Sequence, residues 1–287
     1  MSARVPMALL VAGLLAYAAV IGPFTAYMRD KPMEEKLGYV PSVKVMKSVS
    51  VDQKELAGAS LVFKVLMYYG TLMGQAPKGT ILKDPGDLQG MSRLLHGAVQ
   101  LDPYNMDAYY FAQGILTWDA HQYQVANALL DYGMKYRNWD WFLPFFAGFN
   151  NAYFLKDYKK AAHYYDLAGD LSGEPLYKSL ASRYMQESGQ TDLAIAYLSG
   201  MVKTAKNDAV RKSYQLRLQA FLEVSRIEKA RDRFARERGG MPASLEDLVR
   251  SGYLKPAPVD PYGGTFYLEP DGKVATTSKF AFGAKKK

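Results

Sequence analysis

Residues 157–171 read DYKKAAHYYDLAGDL, and the pattern inside this stretch recurs through the middle of the chain. Setting the other copies in register with it aligns Met91, Ala126, Ala161 and Ala194, at spacings of 35, 35 and 33 residues. Four residues further on stand Leu95, Leu130, Tyr165 and Leu198, and seven further on stand Ala98, Gly133, Ala168 and Met201. Offsets of four and seven return to the same side of an α-helix, so the two middle copies carry a small, a large and a small residue in one row, and the outer two keep the large residue with one small neighbour. Small residues at the ends of such a row let a second helix approach closely. The register therefore predicts successive helical hairpins, with breaks at Asp102-Pro103 and Gly173-Glu174-Pro175.

This unit resembles the tetratricopeptide repeat, a helix-turn-helix of 34 residues whose second helix carries the Ala, Phe/Tyr and Ala positions just described. Residues 142–175 are the fullest copy, and the similarity runs over about 87–206. Gly114 falls where the family has a small residue in its first helix, Gly148 stands one place early, and Ser182 replaces it in the third copy. The family's leading Trp is absent from its position. The resemblance implies a mainly α solenoid whose first helices line a groove for other proteins or peptides. The groove positions map to Phe111, Ile115, Trp118 and Asp119, then to Phe146, Asn150, Tyr153 and Phe154, then to Arg183 and Gln186. There, rings would supply contact area, and an amide and a guanidinium would fix an extended backbone. The competing reading uses the same rings, crowded by Trp139, Trp141, Phe142, Phe145 and Phe149, to fill the core between repeats.

Before the repeats, residues 51–74 have the apolar spacing of a long helix, with Leu56, Phe63, Leu66, Met67 and Leu72 as its candidate buried side chains. Pro77, Gly79, Pro85 and Gly86 follow and break helices. The helix at about 87–101 is thereby expected to lack a regular partner, with 51–74 acting as an irregular cap. Gly70-x-x-x-Gly74 would permit close helix packing, or else marks a frayed end.

At the amino terminus, VPMALLVAGLLAYAAVIGPFTAY (5–27) contains no charged side chain. At about 1.5 Å per residue it spans a hydrocarbon core of about 30 Å. Its unbroken length favours a retained membrane anchor. Ala16-Tyr17-Ala18 offers the competing cleavage site of a secretory signal.

Residues 208–238 form a long charged helix by pattern, with Leu216, Leu218, Phe221, Leu222, Ile227 and Phe234 as its apolar stripe. Residues 203–238 hold eleven Lys or Arg against five Asp or Glu, most of the chain's net charge of +8. Such a face meets anionic lipid or phosphate, or is simply solvated. Aromatic residues do not alternate with the basic ones, and nucleic acid is not an expected partner. After Gly240-Met241-Pro242, Ser244 can cap a short helix that Gly252 ends. Asp260-Pro261-Tyr262-Gly263 supplies a turn before a strand at 265–268, and Asp271-Gly272 turns it into a second strand at 273–277. Over about 231–277 this order resembles the carboxy-terminal part of the major pseudopilin of type II secretion. The resemblance implies an envelope setting. A positive-inside count conflicts with that, because Arg4 lies before the apolar run while Arg29, Lys31, Lys36 and Lys44 lie just after it. The pseudopilin processing site is absent, so a filament subunit built through the tail is the second reading.

The chain of 287 residues has an apolar fraction of 49%, enough for a substantial core, and no cysteine. The missing cysteines exclude disulfides, thiolate metal sites and cysteine nucleophiles. His96, His121 and His163 have no metal-ligand spacing, and no phosphate-binding loop, dinucleotide fingerprint or Gly-x-Ser-x-Gly elbow is present. Asp119, His121 and Asp157 are the residues from which an acid–base site would have to be assembled. No cofactor, no metal and no enzymatic activity are expected. The organisation read from sequence is an anchor or signal at 1–28, a linker at 29–50, a capping helix and loop at 51–86, repeats at 87–206, and a long helix with a small α+β module at 207–287. Its function is that of a membrane-attached scaffold for an envelope assembly.

Overall fold

The computed structural model describes residues 4–39, 41–75 and 86–278; Pro77, Gly79 and Pro85 lie outside them. The chain is mostly helical and ends in a small two-stranded antiparallel sheet. It divides into two compact units, Met1–Asn138 and Trp139–Lys287. The first holds α1 (Arg4–Asp30), α2 (Met33–Lys36), α3 (Val43–Ser50), α4 (Lys54–Gln75), α5 (Leu88–Leu101), α6 (Met106–Gly114) and α7 (Tyr123–Met134). The second holds α8 (Phe142–Asn150), α9 (Tyr158–Ser172), α10 (Pro175–Glu187), α11 (Thr191–Thr204), α12 (Asp208–Arg238), α13 (Leu245–Arg250), β1 (Phe266–Leu268) and β2 (Val274–Thr276). A π-helical turn extends α6 over Ile115–Asp119, and another extends α8 over Asn151–Leu155.

Helices pack in consecutive pairs, α4 with α5 and α6 with α7 in the first unit, α8 with α9 and α10 with α11 in the second. The sequence register falls on their most buried positions. Met91, Ala126, Ala161 and Ala194 are all fully buried, and so are Leu95, Leu130 and Leu198. At Tyr165 the large residue is a ring, and Gly148 on α8 faces it so closely that a Cβ there would sit 3.3 Å from the ring. Asp87, Asn105 and Asp157 cap α5, α6 and α9 by accepting from backbone N–H groups three residues on. The bond from Lys160 N–H holds the Asp157 carboxyl below its ordinary range.

The first unit corrects three expectations. Helix α5 does have a regular partner, because α4 packs along it and Gly58 lets the α5 backbone approach: a Cβ there would lie 3.2 Å from the Ala98 carbonyl. The buried stripe of α4 is Gly58, Val62, Val65, Tyr68 and Leu72, while Leu56, Phe63 and Met67 are exposed. Gly70 and Gly74 face open space and pack nothing. The segment read as a linker contains α2 and α3. Helix α1 is apolar and exposed along its length, and α1 and α4 are both long and apolar enough to cross a membrane.

In the second unit α12 has two partners. Its first half buries Tyr214, Ala220 and Phe221 against Ala194 and Leu198 of α11. Its second half buries Val224, Ile227 and Ala230 against Leu245, Leu248, Leu254, Phe266 and Val274 of the tail. Leu222, expected in this stripe, is exposed. The turn before β1 is fixed by buried Asp260, which accepts from the Tyr262 N–H at 2.8 Å and from the Thr276 hydroxyl of β2.

Two substitutions test this packing. Ala161→Leu adds volume where no space exists and is expected to lower the stability of the second unit by about 1–3 kcal/mol in urea unfolding. Asp157→Ala removes a cap and is expected to cost about 1 kcal/mol at neutral pH. Because the folded-state pKa of Asp157 is depressed, that contribution is present above its unfolded value. It disappears as pH falls through the folded one, so the two proteins converge in acid.

Candidate functional site

The groove positions read from sequence separate into surface and core. In the first unit Trp118 is 55% exposed and Phe111 half-buried, whereas Ile115 is 4% exposed. Asp119 accepts a hydrogen bond from the Tyr69 hydroxyl at 3.1 Å, and burial raises its pKa. In the second unit Tyr153 is 59% exposed, Phe146 and Arg183 are half-buried, and Asn150 is 0% exposed. Ile115 and Asn150 are therefore corrected to core positions, because packing against the surrounding helices leaves them almost no exposed surface. Neither offers a surface to a partner.

Tyr153 and Arg183 line a cleft of about 610 Å³ within the second unit. One wall is the end of α8 with its π-helical turn, where Phe149 and Tyr153 stack with ring centres 5.5 Å apart and Lys156 lies over the Tyr153 ring. The floor is a column of three tyrosines, with Tyr184 of α10 stacked between Tyr158 and Tyr165 of α9 at 5.8 and 5.5 Å. The opposite wall is the β1–β2 hairpin, which contributes Phe266, Tyr267, Glu269 and Lys273. Lys273 crosses to α10, pairs with Glu187 and lies over the Tyr158 ring. Glu187 is also 3.8 Å from Arg183, so this carboxylate is held between two cations.

Besides the apolar core beneath it, the tail that carries the hairpin is held by charges on α12. Arg226 donates to the Pro256 carbonyl at 2.7 Å, Arg231 to the Gly272 carbonyl at 2.6 Å, and Arg233 to the Tyr253 carbonyl at 2.7 Å. A helix whose basic face reads from sequence as solvated or phosphate-binding uses three of its arginines to clip its own tail. Charge-assisted bonds to carbonyls are stronger than neutral ones and suit a segment with little secondary structure of its own.

Chemically the cleft offers rings, neutral hydroxyls and ion pairs closed on each other. Burial raises the pKa of Tyr165 and Tyr184, so both remain protonated and act as rings and donors, not as bases. His121 lies in the first unit beside the Tyr123 hydroxyl at 3.2 Å, and His163 is exposed on α9. Among the described residues no three His, Asp or Glu side chains gather as metal ligands would. The sequence reading missed Tyr158, Tyr184, Tyr267 and Lys273. A period of 33–35 residues marks the helix pairs but carries no signal for which side the tail covers.

Arg231→Ala leaves the β1–β2 turn without its clip. Hydrogen exchange of the amides at 266–276 is expected to accelerate about tenfold, in keeping with about 1.5 kcal/mol for a hydrogen bond to a charged group. Protection in α8–α10 is expected to stay unchanged.

No family model matches the chain, and no curated protein matches it.

Proposed function

We propose that this protein is a membrane-anchored scaffold of a bacterial-type cell envelope, built on tetratricopeptide-like helix pairs in an α-solenoid, that holds an extended segment of another protein in the cleft of its second unit. The observation that carries the reading is the exposed Tyr153 ring standing over a floor of stacked tyrosines and facing a hairpin that supplies Tyr267 and Lys273. Aromatic rings in a partly covered cleft provide large contact area at low entropic cost, the usual source of hot-spot energy in protein recognition. The ion pairs at Glu187 are rim features that bias partner choice more than affinity.

Helix α1 is the anchor, since its apolar length suffices to span and its spanning stretch is exposed among the described residues. We place the helix pairs on the periplasmic side, by the resemblance of residues 231–277 to the major pseudopilin. The tail's apolar residues lie against α12 of the same chain, which leaves no observation favouring a filament subunit that packs its tail between copies.

A photo-crosslinking residue installed at Tyr153 or Tyr267 is expected to give one discrete protein adduct in intact cells, and the same residue at exposed Lys159 none. Tyr153→Ala is expected to weaken capture of that adduct partner at least tenfold, about 1.4 kcal/mol or more, with unchanged melting. Adducts at Lys159 equal to those at Tyr153, or full capture by Tyr153→Ala, would overturn the cleft as the binding surface. Protease treatment of spheroplasts reads the side of the membrane, because digestion of the helix pairs from outside requires the periplasmic placement.

A further inference from the structure

Helix α4 is apolar on two opposite faces. At 3.6 residues per turn, Leu56, Phe63 and Met67 fall within about 40° of one another, on the side opposite Gly58, Val62, Val65 and Leu72. The second set is buried against α5. The first is left 66%, 63% and 58% exposed. This face is not isolated on the surface. Phe63 and Met67 line a cavity of about 450 Å³ together with Met28, from the last turn of α1, and Leu37. Two lysines, Lys36 and Lys64, also line it, and neither has an acidic partner among the described residues. The cavity thus begins where the apolar helix ends and passes from methionine, leucine and phenylalanine to ammonium groups.

We propose that this face is a second membrane contact, in which an anionic phospholipid lays an acyl chain in the cavity with its phosphate against Lys36 and Lys64. The proposal rests on α1 being the anchor. Met28 lies two residues before the end of α1, so a bilayer spanned by α1 has its polar boundary at the level of the cavity. An apolar face flanked by lysines is the composition that sits in such a boundary, with the rings and thioethers in the acyl region and the ammoniums among the headgroups. Exposed Val45 and Val49 on α3, beside Lys44 and Lys47, extend the same chemistry. Helix α4 then lies along the membrane and does not cross it, because its other face is already covered by α5.

The absence of native cysteine allows each position to be labelled singly. The full chain, with a nitroxide at Leu14→Cys, Leu56→Cys, Phe63→Cys, Met67→Cys or Asp107→Cys, is reconstituted into phosphatidylcholine vesicles with and without phosphatidylglycerol. Collision with oxygen and with a water-soluble nickel chelate is then read. The expected result is shielding from the chelate at Leu14, Phe63 and Met67, full access at Asp107, and one shallow depth for Leu56 and Met67. Removing phosphatidylglycerol, or introducing Lys36→Gln and Lys64→Gln in its presence, is expected to shift the Phe63 label toward water by about fivefold per lysine. Chelate access at Phe63 and Met67 with Leu14 shielded would overturn the second contact and leave the anchor standing. Access at Leu14 would remove the anchor and the contact with it. A depth difference of about 16 Å between Leu56 and Met67 would mean that α4 spans, and indifference to the lysines would exclude the anionic lipid.

Discussion

The second unit depends on α12 burying its apolar residues against two different partners. Tyr214, Ala220 and Phe221 close the last helix pair, and Val224, Ile227 and Ala230 supply the core on which the tail condenses. A tail with one short helix and two three-residue strands cannot bury enough surface to fold alone. Its order is borrowed from a helix that is itself ordered by α11. The arginines add direction to this burial, because each guanidinium bonds one particular carbonyl of the tail, and Arg231 bonds the Gly272 carbonyl at the β1–β2 turn.

The cleft follows from that placement. Tyr158 and Tyr184 stand on one side of the cleft and the hairpin on the other. Bringing Tyr267 and Lys273 over the tyrosine column turns two surfaces into a concave one, and the Lys273–Glu187 pair ties its walls together. Rings that stack on each other are already ordered, so under the proposed function a partner segment would meet a preformed floor and would not have to immobilise loose side chains.

In the first unit the corresponding tension is in α4. One apolar face is satisfied by α5, and the other is left exposed among the described residues. Contiguous exposed apolar surface on a helix is costly in water and marks a place of contact. Its continuity with the end of α1 distinguishes it from a scattered surface hydrophobe.

Local features were legible in the residues. Ala126, Ala161 and Ala194 announce tight helix pairs because a methyl group is all that fits between two backbones, and the sequence period repeats that constraint. Ser244 announces a helix start, and Asp271-Gly272 a hairpin, because caps and turns are set by neighbours within a few residues. What the sequence could not fix was which of several equivalent faces meets which partner. Phe63 and Val62 are alike in apolarity, and only the position of α5 buries one and exposes the other. Asn150 and Tyr153 read alike as groove residues, and only tertiary packing buries the amide and leaves the ring exposed. Arg226, Arg231 and Arg233 read as a solvated charge run, because the carbonyls they bind have no side-chain signature. Composition and spacing thus determined a mainly helical chain with an apolar amino terminus and a turn-rich tail. The cleft was decided by tertiary structure, since its walls come from segments distant in sequence and meet only after α12 has folded.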